Sequence, residues 1–247
     1  SSAQMHQGSL NVIFDAQARL QRTQEALATG KKINAASDDP VASAQITAVK
    51  TELSRLEVMQ KNVNTAYDEL AMTEASLSSA EDLISRAREI SVQGANSVLG
   101  AEDRAILAAE VEAIRDQLFK LANTQSATGD YIFAGHATST PAFVDQDGQF
   151  EYQGDNGQRS INIALGVTVD VRSTGTEVFG EGETGIFAVL QNLAGGLRAE
   201  DDEIIQRSMT RIDDSQQLML EGIADLGSRM GLAEDQQLLN EAFNVQL

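Results

Sequence analysis

Apolar residues recur every three or four positions over most of the chain, which is the spacing of amphipathic helices. The first stripe lies in residues 3–29 and is formed by Leu10, Ile13, Leu20 and Leu27, with glutamines between them. A stripe at this spacing predicts a helix whose apolar face packs on another helix. The other helix belongs either to the same chain or to a neighbouring subunit, so these four residues are a candidate subunit-packing seam.

A second and longer stripe follows Pro40, with no glycine or proline before Gly94. It keeps a seven-residue rhythm through Ile46, Val49, Leu53, Leu56, Gln60, Val63, Tyr67, Leu70, Glu74, Leu77 and Ile84. If residues 41–99 form one helix, it is about 88 Å long at 1.5 Å per residue. A compact globule of this chain length has a diameter of roughly 46 Å. The sequence therefore predicts an elongated molecule.

Four residues directly precede this second stripe: Ser37, Asp38, Asp39 and Pro40. Asp39 is placed to accept hydrogen bonds from the free amides of the helix, and Pro40 fits the first helical position, where no donor is needed. Paired catalytic carboxylates are the alternative interpretation. Adjacent carboxylates before a proline are more typical of a helix cap, which is what we predict here.

Two further helical stretches complete the pattern. One begins after a turn at residues 97–100, and so short a connection predicts an antiparallel hairpin with the preceding helix. The other dominates from residue 200 to the end, with its seam at Ile205, Met209, Ile212, Met219, Ile223, Leu226 and Met230. We interpret the methionines as core residues, and an adaptable partner surface is the alternative.

Residues 129–196 differ from the rest, since they hold 12 of the 19 glycines and seven of the 11 aromatic residues. Apolar and polar residues alternate at 150–152, 161–163 and 167–171, and residues 154–157 have the composition of a hairpin turn. We predict a fold that is mainly α with inserted β: an elongated antiparallel helical bundle or rod carrying a small β-rich domain. Residues 1–128 and 197–247 form the discontinuous rod domain, and 129–196 form the insert.

Composition excludes several functions. The net charge of −19 is unsuited to binding nucleic acid. The sequence contains no run of about 18 apolar residues, so we expect no membrane insertion. The chain has no cysteine and only two histidines, His6 and His136, so we expect no metal site, no cofactor and no catalytic residues. The first residues lack the basic and apolar regions of a cleaved signal peptide.

Two short motifs imitate ligand sites. Residues 180–185 match the G-x-G-x-x-G pattern of dinucleotide-binding loops, but Glu181 and Glu183 would repel a pyrophosphate. Residues 145–148 resemble the start of a calcium loop, but the later acidic ligand is replaced by Gly154. We interpret the first as a glycine-rich joint and the second as a β-turn. The acidic run at residues 200–203 is interpreted as a solvated helix start.

Over residues 20–46, the chain resembles the N-terminal region of the bacterial flagellin superfamily, with Ala28-Thr29-Gly30-Lys31-Lys32-Ile33-Asn34 leading to Ser37-Asp38-Asp39-Pro40. Residues 129–135 and 152–155 resemble the same family's entry into its β domain. Filament flagellins carry Ala-Ala-Gly after the aspartates. The Pro40-Val41-Ala42 found here is similar to the hook–filament junction proteins of the superfamily.

The resemblance implies a non-enzymatic structural subunit that joins hook to filament. It implies a homo-oligomer in the assembled flagellum that contacts a FlgK-type hook-associated protein and flagellin. It also implies a dedicated export chaperone and type III export to the cell exterior without a cleaved signal. Two alternatives stay open: a filament flagellin, or a surface binding module acting through the β insert. The family has a further C-terminal helix, so we expect this chain to be monomeric.

Overall fold

A computed structural model describes residues 2–30 and 39–246. The helices are α1 (Ser2–Thr29), α2 (Pro40–Gly94), α3 (Ala101–Ala122), α4 (Gly175–Phe179), α5 (Ile186–Ala199) and α6 (Asp202–Gln246). The strands are β1 (Phe143–Gln146), β2 (Gln149–Tyr152), β3 (Ser160–Ala164) and β4 (Val167–Asp170). The predicted class, mainly α with inserted β, is confirmed. The chain divides into two compact units, residues 1–57 with 246–247 and residues 58–245.

The second helix is continuous over 55 residues, as its uninterrupted heptad pattern predicts. The expectation that it reaches residue 99 is wrong, because it ends at Gly94. A Cβ atom at Gly94 would lie 2.3 Å from Leu197 Cδ2. Helix α5 therefore packs so closely on this position that only glycine fits without a shift. The side chain of Asn96 then accepts a hydrogen bond from the Val98 amide, which stabilises the turn to α3.

Within residues 58–245, α2 and α6 pack as an antiparallel pair with heptad cores. On α2 the buried core positions include Val63, Leu70, Leu77 and Ile84. On α6 a strict seven-residue series is buried: Ile205, Ile212, Met219, Leu226, Ala233 and Asn240. The part of α6 inside this unit is about 66 Å long at 1.5 Å per residue. This exceeds the roughly 42 Å diameter of a compact globule of the same residue number.

The predicted antiparallel hairpin of α2 and α3 is confirmed by contacts on both sides of the turn. Arg86 on α2 bonds to Glu110 on α3 at 2.8 Å, and Arg104 on α3 bonds to the Asn96 carbonyl near the turn. Arg104 is 4% exposed and also contacts Asp202 at the start of α6. The guanidinium of Arg198 on α5 forms a two-pronged contact with Glu112 on α3. The hairpin therefore supports both α5 and α6.

The strands form two separate antiparallel hairpins, β1–β2 and β3–β4. The turn interpretation of residues 145–148 is confirmed, because Asp147 and Gly148 both have positive φ, as a type I′ turn requires. The prediction of a hairpin turn at residues 154–157 is wrong, because β2 and β3 do not pair. Instead Asp155 Oδ1 accepts hydrogen bonds from the amides of His136 and Gly157, which hold this loop against residues 134–136.

An aromatic cluster joins the β region to the helices. Its rings are 5.1–5.9 Å apart and belong to Phe119, Phe133, Phe143, Phe150, Tyr152, Phe179 and Phe187. The side-chain amide of Asn123 pairs with both the amide and the carbonyl of Phe143, as a neighbouring strand would. Helix α5 begins ten residues before the predicted domain boundary at 196, and it contributes Phe187 to this cluster.

Candidate assembly interface

Asp39 and Pro40 are the two described residues of the four-residue cap that was predicted for α2. Asp39 Oδ1 accepts hydrogen bonds from the amides of Val41 at 3.1 Å and Ala42 at 3.0 Å. Pro40 is the first residue of the helix, where its missing donor is harmless. Ser37 and Asp38 lie outside the described residues. Asp39 therefore acts as an N-cap acceptor, which aligns the start of α2.

The seam on α1 is largely exposed. Leu10, Ile13 and Leu20 are 51%, 53% and 59% exposed, and Leu27 is 85% exposed. Phe14 and Val12 on the same helix are exposed as well. Fully burying a side chain of this size contributes about 1.5–3 kcal/mol relative to leaving it in water. A helix that keeps these positions exposed offers substantial apolar surface to another helix.

A second exposed apolar set lies at the start of α2, where Val41, Ile46 and Val49 are exposed. This set and α1 belong to the unit formed mainly by residues 1–57. Those 57 residues contain six basic and six acidic side chains, so their net charge is zero. Exposed apolar surface on a neutral segment can associate with a copy of itself without electrostatic repulsion.

The end of α6 carries a third exposed apolar set, which the sequence analysis missed because it followed the seam only to Met230. Leu232, Leu239 and Phe243 lie along one stripe and are 43%, 52% and 55% exposed. The buried heptad residues Ala233 and Asn240 lie on an adjacent face of the same helix. The signal that could have revealed this stripe is the spacing of seven and then four between those three residues.

Polar residues inside the helical seam set the register of α2 against α6. Gln216 Nε2 lies 2.8 Å from both Glu81 Oε1 and the Ser85 hydroxyl oxygen. The hydroxyl of Tyr67 bonds to Glu234, and this bond with a carboxylate raises the pKa of Tyr67 above its usual value. A single buried polar residue in a heptad core favours one register at a cost in stability. Asn240 is buried in the α6 heptad series, but its 2.9 Å bond comes from Gln236 of the same helix, so the register depends on Gln216 and Tyr67.

The shifted pKa values have structural causes. The Arg198 guanidinium lowers the pKa of Glu112, and hydrogen bonds from Thr138 and Thr128 lower that of Asp130. Backbone amides lower the pKa of Asp155. These carboxylates hold helices and loops together. Among residues 2–30 and 39–246, no three acidic or histidine side chains are grouped as metal ligands, and no helix has the length and apolarity to cross a bilayer.

The two imitations of ligand motifs are turns in the structure. Residues 182–184 form a short 3-10 turn, and Gly185 is the N-cap of α5, so residues 180–185 are a joint between α4 and α5. In the acidic run, Asp201 Oδ1 accepts a hydrogen bond from the Ile204 amide, and α6 begins at Asp202. Met219 is fully buried, while Met209 and Met230 are partly buried, which agrees with the core interpretation.

Curated relatives of the chain are flagellar proteins. It is 28% identical over 211 residues to flagellar hook-associated protein 3 of Escherichia coli, and the matched region covers 80% of this chain and 66% of that protein. It is 31% identical over 181 residues to flagellar hook-associated protein 3 of Salmonella typhimurium, and the matched region covers 72% of this chain and 56% of that protein. The chain thus matches less than two thirds of the length of these relatives.

A solved structure shares the fold. The flagellar junction protein FlgL of Legionella pneumophila superposes with a TM-score of 0.72 at 22% identity, over 83% of this chain and 98% of that one. Residues 1–138 match the family model described as the bacterial flagellin N-terminal helical region. Because this match covers more than half of the sequence, the chain belongs to the bacterial flagellin family.

Proposed function

We propose that the protein is a structural subunit of the bacterial flagellum that joins hook to filament. The observation that carries the proposal is the exposed apolar stripe on α1, formed by Leu10, Ile13, Leu20 and Leu27. A helix exposing such a stripe on a neutral segment is suited to permanent packing against other subunits. The names of its curated relatives, hook-associated protein 3, support the junction as the location.

In this role the protein transmits torque and performs no catalysis. Residues 1–128 and 197–247 form the rod domain, and its long helices carry the load in the inner part of the assembly. Residues 129–196 form a β-rich domain that is inserted between these two segments of the chain and faces solvent. Asp39 and Pro40 begin the longest helix, the first as its N-cap acceptor and the second as its first residue. No cofactor is required for this work.

The partners follow from the location. The subunit is a homo-oligomer in the flagellum, contacting a FlgK-type hook-associated protein on one side and flagellin on the other. It reaches the cell exterior through the flagellar type III apparatus with a dedicated export chaperone and without a cleaved signal. The net charge of −19 argues against a nucleic-acid partner.

A filament flagellin is the second candidate, and Pro40-Val41-Ala42 after the two aspartates argues against it. A surface binding module acting through residues 129–196 is a candidate of another class. Its aromatic rings Phe133, Phe143 and Phe179 are buried, so few of them face solvent for recognition.

Deletion of the gene tests the proposal. We expect hooks without attached filaments and flagellin released into the medium, with both restored by the complete gene. Normal filaments in the deletion strain would contradict the junction role. Bulk polymerisation of the full-length protein into long filaments would favour the flagellin alternative.

A further inference from the structure

A polar groove of about 440 Å³ lies between α5 and α6. One wall is formed by Arg207, Ser208 and Arg211, which share a face of α6, and the other by Gln191 and Asn192 on α5. Two arginines separated by one helical turn at such a groove suggest an anionic occupant.

These two arginines are exceptional within residues 58–245, a range that the structure describes throughout. The segment has ten arginines, and eight of them lie within 4.0 Å of a carboxylate oxygen. Arg207 and Arg211 are the remaining two, and neither forms an ion pair with any described residue. Glu183 also lines the groove without pairing with them. Both arginines are exposed and lie one helical turn apart, so in a chain with this excess of acid they are available to a carboxylate of another chain.

Other polar groups in the groove also lack partners among the described residues. Ser208 is 4% exposed and its hydroxyl forms no hydrogen bond, whereas Ser76 and Ser215 donate to the carbonyl one helical turn earlier. Gln191 Oε1 is buried without a donor. Buried polar atoms in proteins usually have partners, because leaving one without a partner is destabilising.

The unpaired groups specify the chemistry of the occupant. The arginines and the serine hydroxyl need acceptor oxygens, and Gln191 Oε1 needs an N–H donor. A peptide segment with Asp or Glu side chains supplies both, the carboxylate to the arginines and a backbone amide to the glutamine. An inorganic anion would supply only the acceptors.

Charge distribution indicates the source of that peptide. Residues 58–245 contain 12 basic and 31 acidic side chains, which account for the whole net charge of −19. Copies of this unit packed side by side repel one another unless surplus acids of one copy meet unpaired cations of the next. We propose that Arg207, Ser208 and Arg211 bind a carboxylate-bearing segment of a second copy of this chain in the assembled flagellum. This inference rests on the proposed function.

A pair of variants with equal charge change tests the contact in the full-length gene of the bacterium. Arg207→Gln with Arg211→Gln changes the net charge by −2 and removes both guanidiniums. Lys61→Glu makes the same charge change at an exposed position on α2 that does not line the groove and leaves both arginines in place. We expect about tenfold fewer filaments retained per cell in the first variant and the wild-type number in the control. Thermal unfolding of the purified variants confirms that both fold.

Photocrosslinking identifies the occupant directly. With p-benzoylphenylalanine in place of Asn192, irradiation of assembled flagella should give a covalent dimer of this chain, joined at a peptide that contains Asp or Glu. The dimer should decrease when both arginines are replaced. A crosslink to another protein, no crosslink, or wild-type filament retention by the arginine variant would overturn the inference. Loss of filaments in the deletion strain, without loss in the arginine variant, would reject this contact and leave the junction role intact.

Discussion

Gln216 on α6 donates a 2.8 Å hydrogen bond to the carboxylate of Glu81 on α2. The same amide nitrogen also lies 2.8 Å from the Ser85 hydroxyl, so one side chain joins two consecutive turns of the opposite helix. A shift of one heptad between the two helices would move Gln216 about 10 Å away from both Glu81 and Ser85. The bond therefore fixes the antiparallel register within residues 58–245.

Replacement of Gln216 by alanine should lower the free energy of unfolding by about 1–2 kcal/mol, because Glu81 and Ser85 lose a partly buried donor. The neighbouring Gln217 bonds only to Glu221 on its own helix and is exposed, so Gln217→Ala should change stability by less than about 0.5 kcal/mol. Urea denaturation of the purified chain measures both. Equal effects of the two substitutions would reject the register role.

Two adjacent glycines of α5 should respond with opposite signs to substitution by alanine. A Cβ atom at Gly196 would lie 2.8 Å from Ile204 Cγ2. A Cβ atom at Gly195 would have no atom within 4 Å apart from its chain neighbours and the backbone of its own helix. Gly195→Ala should stabilise the protein by about 0.5–1 kcal/mol through helix propensity. Gly196→Ala should destabilise it by about 1–3 kcal/mol through overpacking. Thermal unfolding tests the signs, and stabilisation by both would show that α5 and α6 do not pack closely here.

Acid should loosen the loop at residues 154–157. The pKa of Asp155 is lowered in the folded state because its carboxylate accepts bonds from the His136 and Gly157 amides. Its contribution to stability is therefore complete above the unfolded pKa of about 3.9 and is lost as pH falls through the lower folded value. In Asp155→Asn, the decrease in melting temperature below about pH 4 should be shallower than in the wild type. Parallel curves for the two proteins would contradict this assignment.

Much of the helical structure follows from periodicity. The heptads around Leu70 and Ile212 predicted long helices, the short turn at residues 97–100 predicted an antiparallel hairpin, and Asp39 before Pro40 predicted where α2 begins. These features depend on residues close together in the sequence, which is why local pattern was sufficient.

The remaining features depend on contacts between distant residues. The glycines at 154 and 157 suit a hairpin turn as well as a loop held by Asp155, and only the tertiary contacts with His136 decide between them. Arg207 and Arg211 are visible as a basic pair in the sequence. Their lack of a carboxylate partner depends on how α5 and α6 are packed.

Filament retention measured by electron microscopy, in a strain whose α1 seam is altered, tests the central claim most directly. Leu20→Glu with Leu27→Glu places charge on the exposed stripe, and Arg22→Glu makes the same change of −2 on the other side of α1. We predict hooks without filaments for the seam variant and attached filaments for Arg22→Glu, with both proteins exported. Normal filaments in the seam variant would contradict the account.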